Sequence, residues 1–442
     1  MNLFPYEKTD LICDNISYTS SGNLSFAGHD LKELATKYGT PTYFIDEERV
    51  RNRCRTYTDA VKAAFGDKGK VFYASKAGSF KRIYEIMKEE DLGIDVVSSG
   101  EIYTAISASF PLSNSMFHSN NKTDEDIAYG IENGVGYFVV DNEEELVAID
   151  RISGQKGKVQ SVILRLTPGI DTHTYEAVNT GKVDSKFGSA IETGQAMEIT
   201  QTALKMKNIR LCGFHCHIGS QLFDSSVFLS ASKIMLEFIA SVKEALKFEC
   251  EILDIGGGYG VRYIASQPQI DIASIIAEIG KYITEKCNEL NITMPTICFE
   301  PGRSIIADAG LTLYTVGTVK KITGYKNYVS VDGGMTDNIR FALYNAPYTI
   351  IPVQNISAPR DMKCSVVGRC CESGDIIQEN VFLPSNIGRN DLLACLTTGA
   401  YHYSMASNYN RLPRPPIVML TKEDSYYAVE RETIEHLALL DV

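Results

Sequence analysis

The chain has 442 residues, a net charge of −12, 44% apolar residues and no tryptophan. That length allows two or three domains with a sizeable core. A negative balance without any basic block disfavours nucleic acid and anionic membrane surfaces as partners. The opening Met1-Asn2-Leu3-Phe4-Pro5-Tyr6-Glu7 lacks the charged-then-apolar pattern of a secretory signal, and no apolar run approaches the ~20 residues of a bilayer span. The eleven cysteines are scattered, with no Cys-x-x-Cys, so they read as reduced thiols and the expected location is the cytoplasm.

In chain order, residues 16–26 read as a small hairpin around Ser20-Ser21-Gly22-Asn23. A helix over about 30–37, a strand at 43–45 and a long amphipathic helix over 47–65 follow. Then come eight short apolar runs at helix-sized intervals: 71–75, 94–97, 115–118, 137–140, 161–166, 210–217, 252–255 and 296–299. Helical patterns separate them near 80–90, 100–109, 123–133, 142–152, 190–207, 225–248 and 272–290. The runs are continuous rather than alternating, as strands buried on both faces require. Eight β/α units predict a TIM (β/α)8 barrel over 43–302, with an open doubly wound sheet as the alternative. After Pro301 the strands lengthen and alternate (311–322, 327–332, 348–355, 362–369, 417–420, 426–429), joined by turns rich in Gly, Asn and Pro. This predicts a second, mostly antiparallel β-domain of residues 303–442 together with 1–42.

In a barrel, chemistry sits at the carboxyl ends of the strands. Here those ends carry Lys76, Ser98-Ser99-Gly100-Glu101, His118, Asp141, Arg165, His217, Gly256-Gly257-Gly258 and Glu300. A lysine in that position can capture an aldehyde cofactor as a Schiff base. In Gly213-Phe214-His215-Cys216-His217-Ile218-Gly219-Ser220, strand alternation puts the histidines on one face and the cysteines on the other, which argues against a zinc site. His217 suits a place flat against an aromatic cofactor, with Ser220 near its phosphate. The 256–258 glycines can bring backbone N–H groups close to an anion. Glu300 suits a pyridine nitrogen, and Arg303 a phosphate or carboxylate. Arg340 and Tyr344, four apart, share one face if helical. Cys370-Cys371-Glu372-Ser373-Gly374-Asp375 is a dense polar turn, and Gly399-Ala400-Tyr401 leads into a polar stretch.

Five motifs then occur in order: Tyr73-Ala74-Ser75-Lys76-Ala77, His215-Cys216-His217-Ile218-Gly219-Ser220-Gln221, Glu300-Pro301-Gly302-Arg303, Cys371-Glu372-Ser373-Gly374-Asp375 and Gly399-Ala400-Tyr401. From about Tyr38 to Pro415 the chain resembles the fold-type III pyridoxal-phosphate decarboxylases. The resemblance implies a barrel plus β-domain, with pyridoxal 5'-phosphate as cofactor and an amino acid as substrate. It also implies a head-to-tail homodimer with shared active sites. The activity it implies is decarboxylation of meso-2,6-diaminopimelate to L-lysine. The alternatives within the family are ornithine, arginine, or a carrier-bound or siderophore precursor. By resemblance Lys76 is the Schiff-base lysine and His217 stacks on the ring. Glu300 partners the ring nitrogen, and Ser220, Gly256, Gly257, Gly258, Gly302, Arg303 and Tyr401 hold the phosphate. Cys371, from the second subunit, is the proton donor, and Arg303, Arg340, Tyr344, Glu372 and Tyr401 hold the substrate. No metal is implied. Ser75 stands where a branched apolar residue is usual, Arg369 and Phe341 where prolines are, and the 118–122 stretch lacks the usual glycine. Arg369 adds a cation near Cys371. Outside this chemistry the alternative is a metal-dependent barrel hydrolase.

Overall fold

The computed structural model describes residues 11–170, 186–355 and 358–442; the opening seven residues lie outside them. It resolves into two compact units, one of Arg53–Gly260 with Ile270–Gly302, the other of the described parts of Met1–Asn52, Val261–Gln269 and Arg303–Val442.

The first unit is a closed parallel barrel of β1 (Gly69–Ala74), β2 (Gly93–Val96), β3 (Ser115–Phe117), β4 (Tyr137–Val140), β5 (Gln160–Thr167), β6 (Ile209–His215), β7 (Ile252–Asp254) and β8 (Thr296–Phe299). Two pairings rule out an open sheet. β8 lies against β1, with Ile297 opposite Gly69 and Phe299 opposite Val71, and β4 continues onto β5 from Tyr137–Ser161 to Val140–Leu164. Phe72, Met116, Val139, Ile163, Cys212, Ile252 and Cys298 form one buried cluster drawn from seven of the eight strands. These side chains fill the barrel, so it is a packed core rather than a pore.

The helices start where the sequence supplies caps. Ser98 accepts from Glu101 N–H at 3.3 Å, and Glu101 accepts Val97 N–H at 2.6 Å. Thr123 and Asp126 cap each other, and Asn142 accepts Glu145 N–H at 2.9 Å. Part of the polarity at the strand ends is therefore capping. Ser225–Leu246 is long and apolar enough to span a bilayer by composition, contrary to the reading of the sequence. Here it is a helix of the barrel unit that buries Phe228, Ala231, Met235, Leu236, Phe238, Ile239 and Val242.

The second unit is built on β9 (Gly310–Lys321), which pairs antiparallel with β10 (Asn327–Val331) and β13 (Leu392–Leu396). β11 (Met362–Val367) runs parallel to β10 and antiparallel to β12 (Ile376–Leu383). Thr42–Asp46 pairs with β9 and with Ile417–Leu420. That strand begins the stretch expected to be barrel, yet it lies in this sheet; its five residues are all buried, so its sequence reads the same in either setting. The hairpin at 16–26 gains a third strand, His29–Asp30. Its Ile16, Leu24 and Phe26 share a core with Phe44, Leu311, Leu313, Leu396, Val418 and Leu420. β12 and β13 were not foreseen, and the 348–355 stretch is a strand only over Ile350–Pro352.

One glycine tests the barrel. A Cβ on Gly213 would stand 1.8 Å from the Ile252 carbonyl oxygen, whereas one on Gly100 would meet nothing nearer than Ser98 Oγ at 3.6 Å. Gly213→Ala should therefore destabilise the protein by about 2 kcal/mol or more. Gly100→Ala should be neutral or stabilise by up to ~1 kcal/mol. Urea midpoints of the two variants check this; equal midpoints would contradict the packing described.

Candidate active site

β1 stops at Ala74, and a single turn, Ser75–Ala77, carries Lys76 between two buried neighbours with its own side chain exposed. The end of β8 packs directly behind it. Ala74 N–H donates to Pro301 O at 3.2 Å, and a Cβ on Gly302 would stand 2.8 Å from Ala74 Cβ. Glycine at 302 lets the strand ends meet, which sets Lys76 and Glu300 on the same stretch of rim.

Glu300 is buried and gripped from both sides. His118 Nε2 lies 2.6 Å from Oε1 and His215 Nε2 lies 3.2 Å from Oε2. Burial alone would raise the Glu300 pKa, but His118 and then His215 reverse this and hold it well below the ordinary carboxylate range. Burial lowers His215 to about 4, so its ring is neutral, with the proton on the Nε2 that faces Glu300. Two further acids are buried in the same unit. Burial, reinforced by Glu300, drives Asp254 well above the usual range and raises Asp95. Glu300 is thus shifted toward its ionised form, and Asp254 and Asp95 toward their protonated forms.

His217 lies just past the end of β6, so it does not share the strand alternation with His215. Its Nδ1 accepts Gly257 N–H at 3.3 Å. Burial, aided by the charges of Lys76 and Arg165, keeps the ring neutral. The glycine run was expected to aim its amides at an anion. Instead Gly256 N–H goes to Asp254 Oδ1 at 2.7 Å and Gly257 N–H to His217. The glycines are required by close approach: a Cβ at 257 would meet Glu300 O at 2.1 Å, and one at 258, where φ is +105°, would meet Gly219 O at 2.3 Å. The loop carrying Ser220 is tied to this run by Leu222 N–H to Gly258 O at 2.9 Å. At the barrel's rim an amine, an ionised carboxylate and a neutral imidazole therefore stand close enough for the Lys76 charge to act on Asp95 and His217. That set fits a cofactor offering an aldehyde and a basic ring nitrogen.

The second unit gathers cations around tyrosine. Tyr401 has its ring between the Arg303 guanidinium at 4.8 Å and that of Arg340 at 5.0 Å. Its φ of +69° is unusual for a bulky residue. Arg303 donates to Tyr263 Oη at 2.8 Å, and Arg340 also faces the Tyr344 ring at 5.0 Å. Arg340–Tyr344 is indeed a short helix. Tyr348 packs edge-on against both Tyr263 and His402. Cys371 and Glu372 are exposed and make none of these contacts. Cys371 N–H bonds Asn410 Oδ1 at 2.7 Å, and Glu372 accepts Gly374 N–H at 3.2 Å. Asp375 secures their turn through Met335 N–H at 2.6 Å and Cys370 N–H at 2.7 Å. Arg369 is held through its backbone, donating to Gly333 O at 3.1 Å. Tyr263, Tyr348 and His402 were missed. Nothing in sequence links the first two to the cluster, whereas His402 adjoins a recognised motif.

Residues 47–307 match the family model described as "Pyridoxal-dependent decarboxylase, pyridoxal binding domain". Diaminopimelate decarboxylase of Bacillus subtilis is 40% identical over 95% of this chain and 95% of its own length. That of Staphylococcus aureus is 42% identical over 96% and 99%. The crystal structure of diaminopimelate decarboxylase from M. jannaschii, a complex with L-lysine, superposes with a TM-score of 0.88 at 32% identity, covering 97% of this chain and 98% of that one. Barrel, β-domain and rim chemistry thus define a pyridoxal-phosphate-dependent amino-acid decarboxylase. Within that class, the chain belongs to the diaminopimelate decarboxylase family.

His402 gives a pH prediction. Burial, then the charge of Arg340, lowers its pKa to about 3, against ~6.5 unfolded. Between those values the unfolded chain binds more protons, so stability falls as pH drops, by at most ~1.4 kcal/mol per pH unit for this group. His402→Leu should make the loss between pH 6.5 and 4 shallower, though not flat, since His215 acts with the same sign. Denaturant unfolding at stepped pH checks this; an unchanged slope would contradict it.

Proposed function

We propose that the protein removes CO₂ from meso-2,6-diaminopimelate to give L-lysine, the last step of lysine biosynthesis. The observation that carries this is Arg340. It is 6% exposed, and among the described residues it makes no ion pair with any acid. A buried cation without a counter-charge is costly, so the site favours a substrate with a carboxylate at its far end over a simple diamine precursor.

When bound, pyridoxal phosphate supplies the aldehyde that captures an amine and the electron sink for the pair left behind as CO₂ departs. Lys76 anchors that aldehyde. Glu300, ionised, keeps a proton at the ring nitrogen. His217, neutral, would lie against the ring without adding charge. Ser220, Gly256, Gly257, Gly258, Gly302, Arg303 and Tyr401 are assigned to the phosphate. For the glycines this role is mainly one of close approach, since two of the three amides in the run are already bonded within the barrel. Arg303, Arg340, Tyr344, Glu372 and Tyr401 hold the carboxylates and ammonium groups of the substrate. Fixing the far end orients the bond that breaks, so binding energy remote from the reacting carbon serves the rate. Cys371 donates its proton to the carbon that has lost CO₂ and is reprotonated by solvent.

In the same reading the working form is a cytoplasmic homodimer in which Cys371 comes from the second subunit. The exposure of Cys371 on a single chain supports this, and eleven free cysteines fit a reducing compartment.

Purified protein supplied with cofactor should release CO₂ from meso-diaminopimelate and little or none from ornithine or arginine; equal release from all three would overturn the substrate assignment. Lys76→Ala should lose the visible absorbance of lysine-bound cofactor. Cys371→Ala should keep that absorbance while turnover falls. Mixing these two inactive variants should restore roughly a quarter of wild-type activity if each site draws on both subunits, and no recovery would refute the shared site.

A further inference from the structure

The Glu300 carboxylate is held more tightly than its assigned task requires. It sits at the end of β8, 6% exposed, while His118 follows β3 and His215 ends β6. Each ring takes a different oxygen, at 2.6 and 3.2 Å, and the rings meet edge to face at 4.9 Å. Both histidines are fixed by their own surroundings. His118 N–H donates to Val96 O at 2.8 Å. The turn after it is anchored by buried Lys122, whose Nζ bonds Glu145 at 2.5 Å and Val139 O at 2.8 Å. His215 lies within a strand, paired with Arg165 on β5 and Asp254 on β7. Its Nδ1 is buried without a hydrogen-bond partner, as expected if the single ring proton is committed to Nε2 and Glu300.

The ligand atoms of His118, His215 and Glu300 all lie within 4.8 Å of one another, close enough to suggest a metal centre. The geometry points elsewhere. An ion bound at ~2.0–2.2 Å to nitrogen and oxygen holds its ligands more than 3 Å apart, whereas the His118 contact has the length of a charge-assisted hydrogen bond.

We propose that His118 and His215 are positioning residues that pin Glu300 in one ionised orientation and thereby keep the cofactor's ring nitrogen protonated. Each histidine takes a different oxygen of the carboxylate, which fixes its plane between them. The groups around the trio are Asp95, Asp254, Lys76 and Arg165; burial raises both aspartic acids while the two imidazoles hold Glu300 low, so the clamp favours negative charge on Glu300 over its acidic neighbours. Without the histidines, the proton would pass to Glu300 or be shared among the three acids, and the electron sink would weaken.

This inference rests on the assignment of Glu300 to the ring nitrogen, and the test separates the two. The holoenzyme is loaded with pyridoxal phosphate labelled with ¹⁵N in the ring, and the ring-nitrogen shift is read by NMR at fixed pH. Glu300→Gln is the control. His118→Asn and His215→Asn stay polar but are too short to reach the carboxylate; His118→Gln and His215→Gln reach it. The Asn variants should move the signal from the protonated toward the free-base position and lower kcat roughly tenfold or more with little change in KM. The Gln variants should restore both. If Glu300→Gln leaves the signal unmoved, the assignment of Glu300 itself fails. If it moves the signal while cofactor-loaded Asn variants match wild type, the histidine clamp is overturned.

Discussion

Closing eight parallel strands into a barrel places every carboxyl end on one rim, and this chain's chemistry depends on that constraint. His118 and Glu300 are 182 residues apart, and His215 and Glu300 85. Separations of that size along the chain become hydrogen-bond distances because the strands close into a barrel, with β8 against β1 and β4 continuing onto β5. The closeness of the strand ends is bought with glycine: at 213, 257, 258 and 302 even a methyl group would collide with a neighbouring strand or loop. The rim is therefore tight for the same reason that it is well ordered. Loops free to shift would give a buried carboxylate room to turn toward solvent.

Burial at that rim sets the charge pattern. Three acids, Asp95, Asp254 and Glu300, lie in surroundings that penalise ionisation. Glu300 receives two imidazole N–H groups, and of the three it is the one whose pKa is lowered. The other two are raised by burial and by Glu300's own charge, so one ionisation suppresses its neighbours. The result is a single, located negative charge instead of a diffuse acidic patch. On the proposed assignment of Glu300, a cofactor ring would meet an acceptor already held by His118 and His215, and little reorganisation would be left for the reaction.

The barrel was legible because strands buried on both faces must be continuous apolar runs, and eight of them stood at regular intervals. The helices between were legible through the same periodicity, but their caps were not, and Ser98 and Glu101 read as site groups where the structure makes them caps. β13, Leu-Leu-Ala-Cys-Leu, is as apolar as a barrel strand, but it arrives after the alternating pattern has begun and so was overlooked. β12 carries Gln378, Glu379 and Asn380 mid-strand and reads as a turn. The site was legible where one residue type has one plausible use, as with Lys76 at a strand end. It was less so where geometry decides. His215 read as a companion of His217, but the strand ends between them and their rings take different partners. The glycine amides looked free because sequence cannot show that Asp254 and His217 already receive two of them. Tyr263 lies on the nine-residue stretch Val261–Gln269, which leaves the barrel's chain to join the other unit, and no local pattern announces that excursion.

The second unit reverses the arrangement. Around Tyr401 the buried charged groups are two arginines, and tyrosine rings face their guanidinium groups. A ring face attracts a guanidinium by about 0.5–2 kcal/mol, so the Tyr344 and Tyr401 rings hold Arg340 in place without supplying a counter-charge. Tyr401 shows the cost, since it accepts a left-handed backbone to put its ring between them. A carboxylate in that position would relax the backbone requirement and stabilise both arginines, but it would also remove their attraction for an outside anion. In the proposed reading, leaving Arg340 without a counter-charge from this chain would let the substrate complete that part of the electrostatics. On the proposed assignment of Arg340 to the substrate, selectivity would come from the counter-charge a ligand brings, because a ligand lacking a far carboxylate would leave Arg340 as costly as it was before binding.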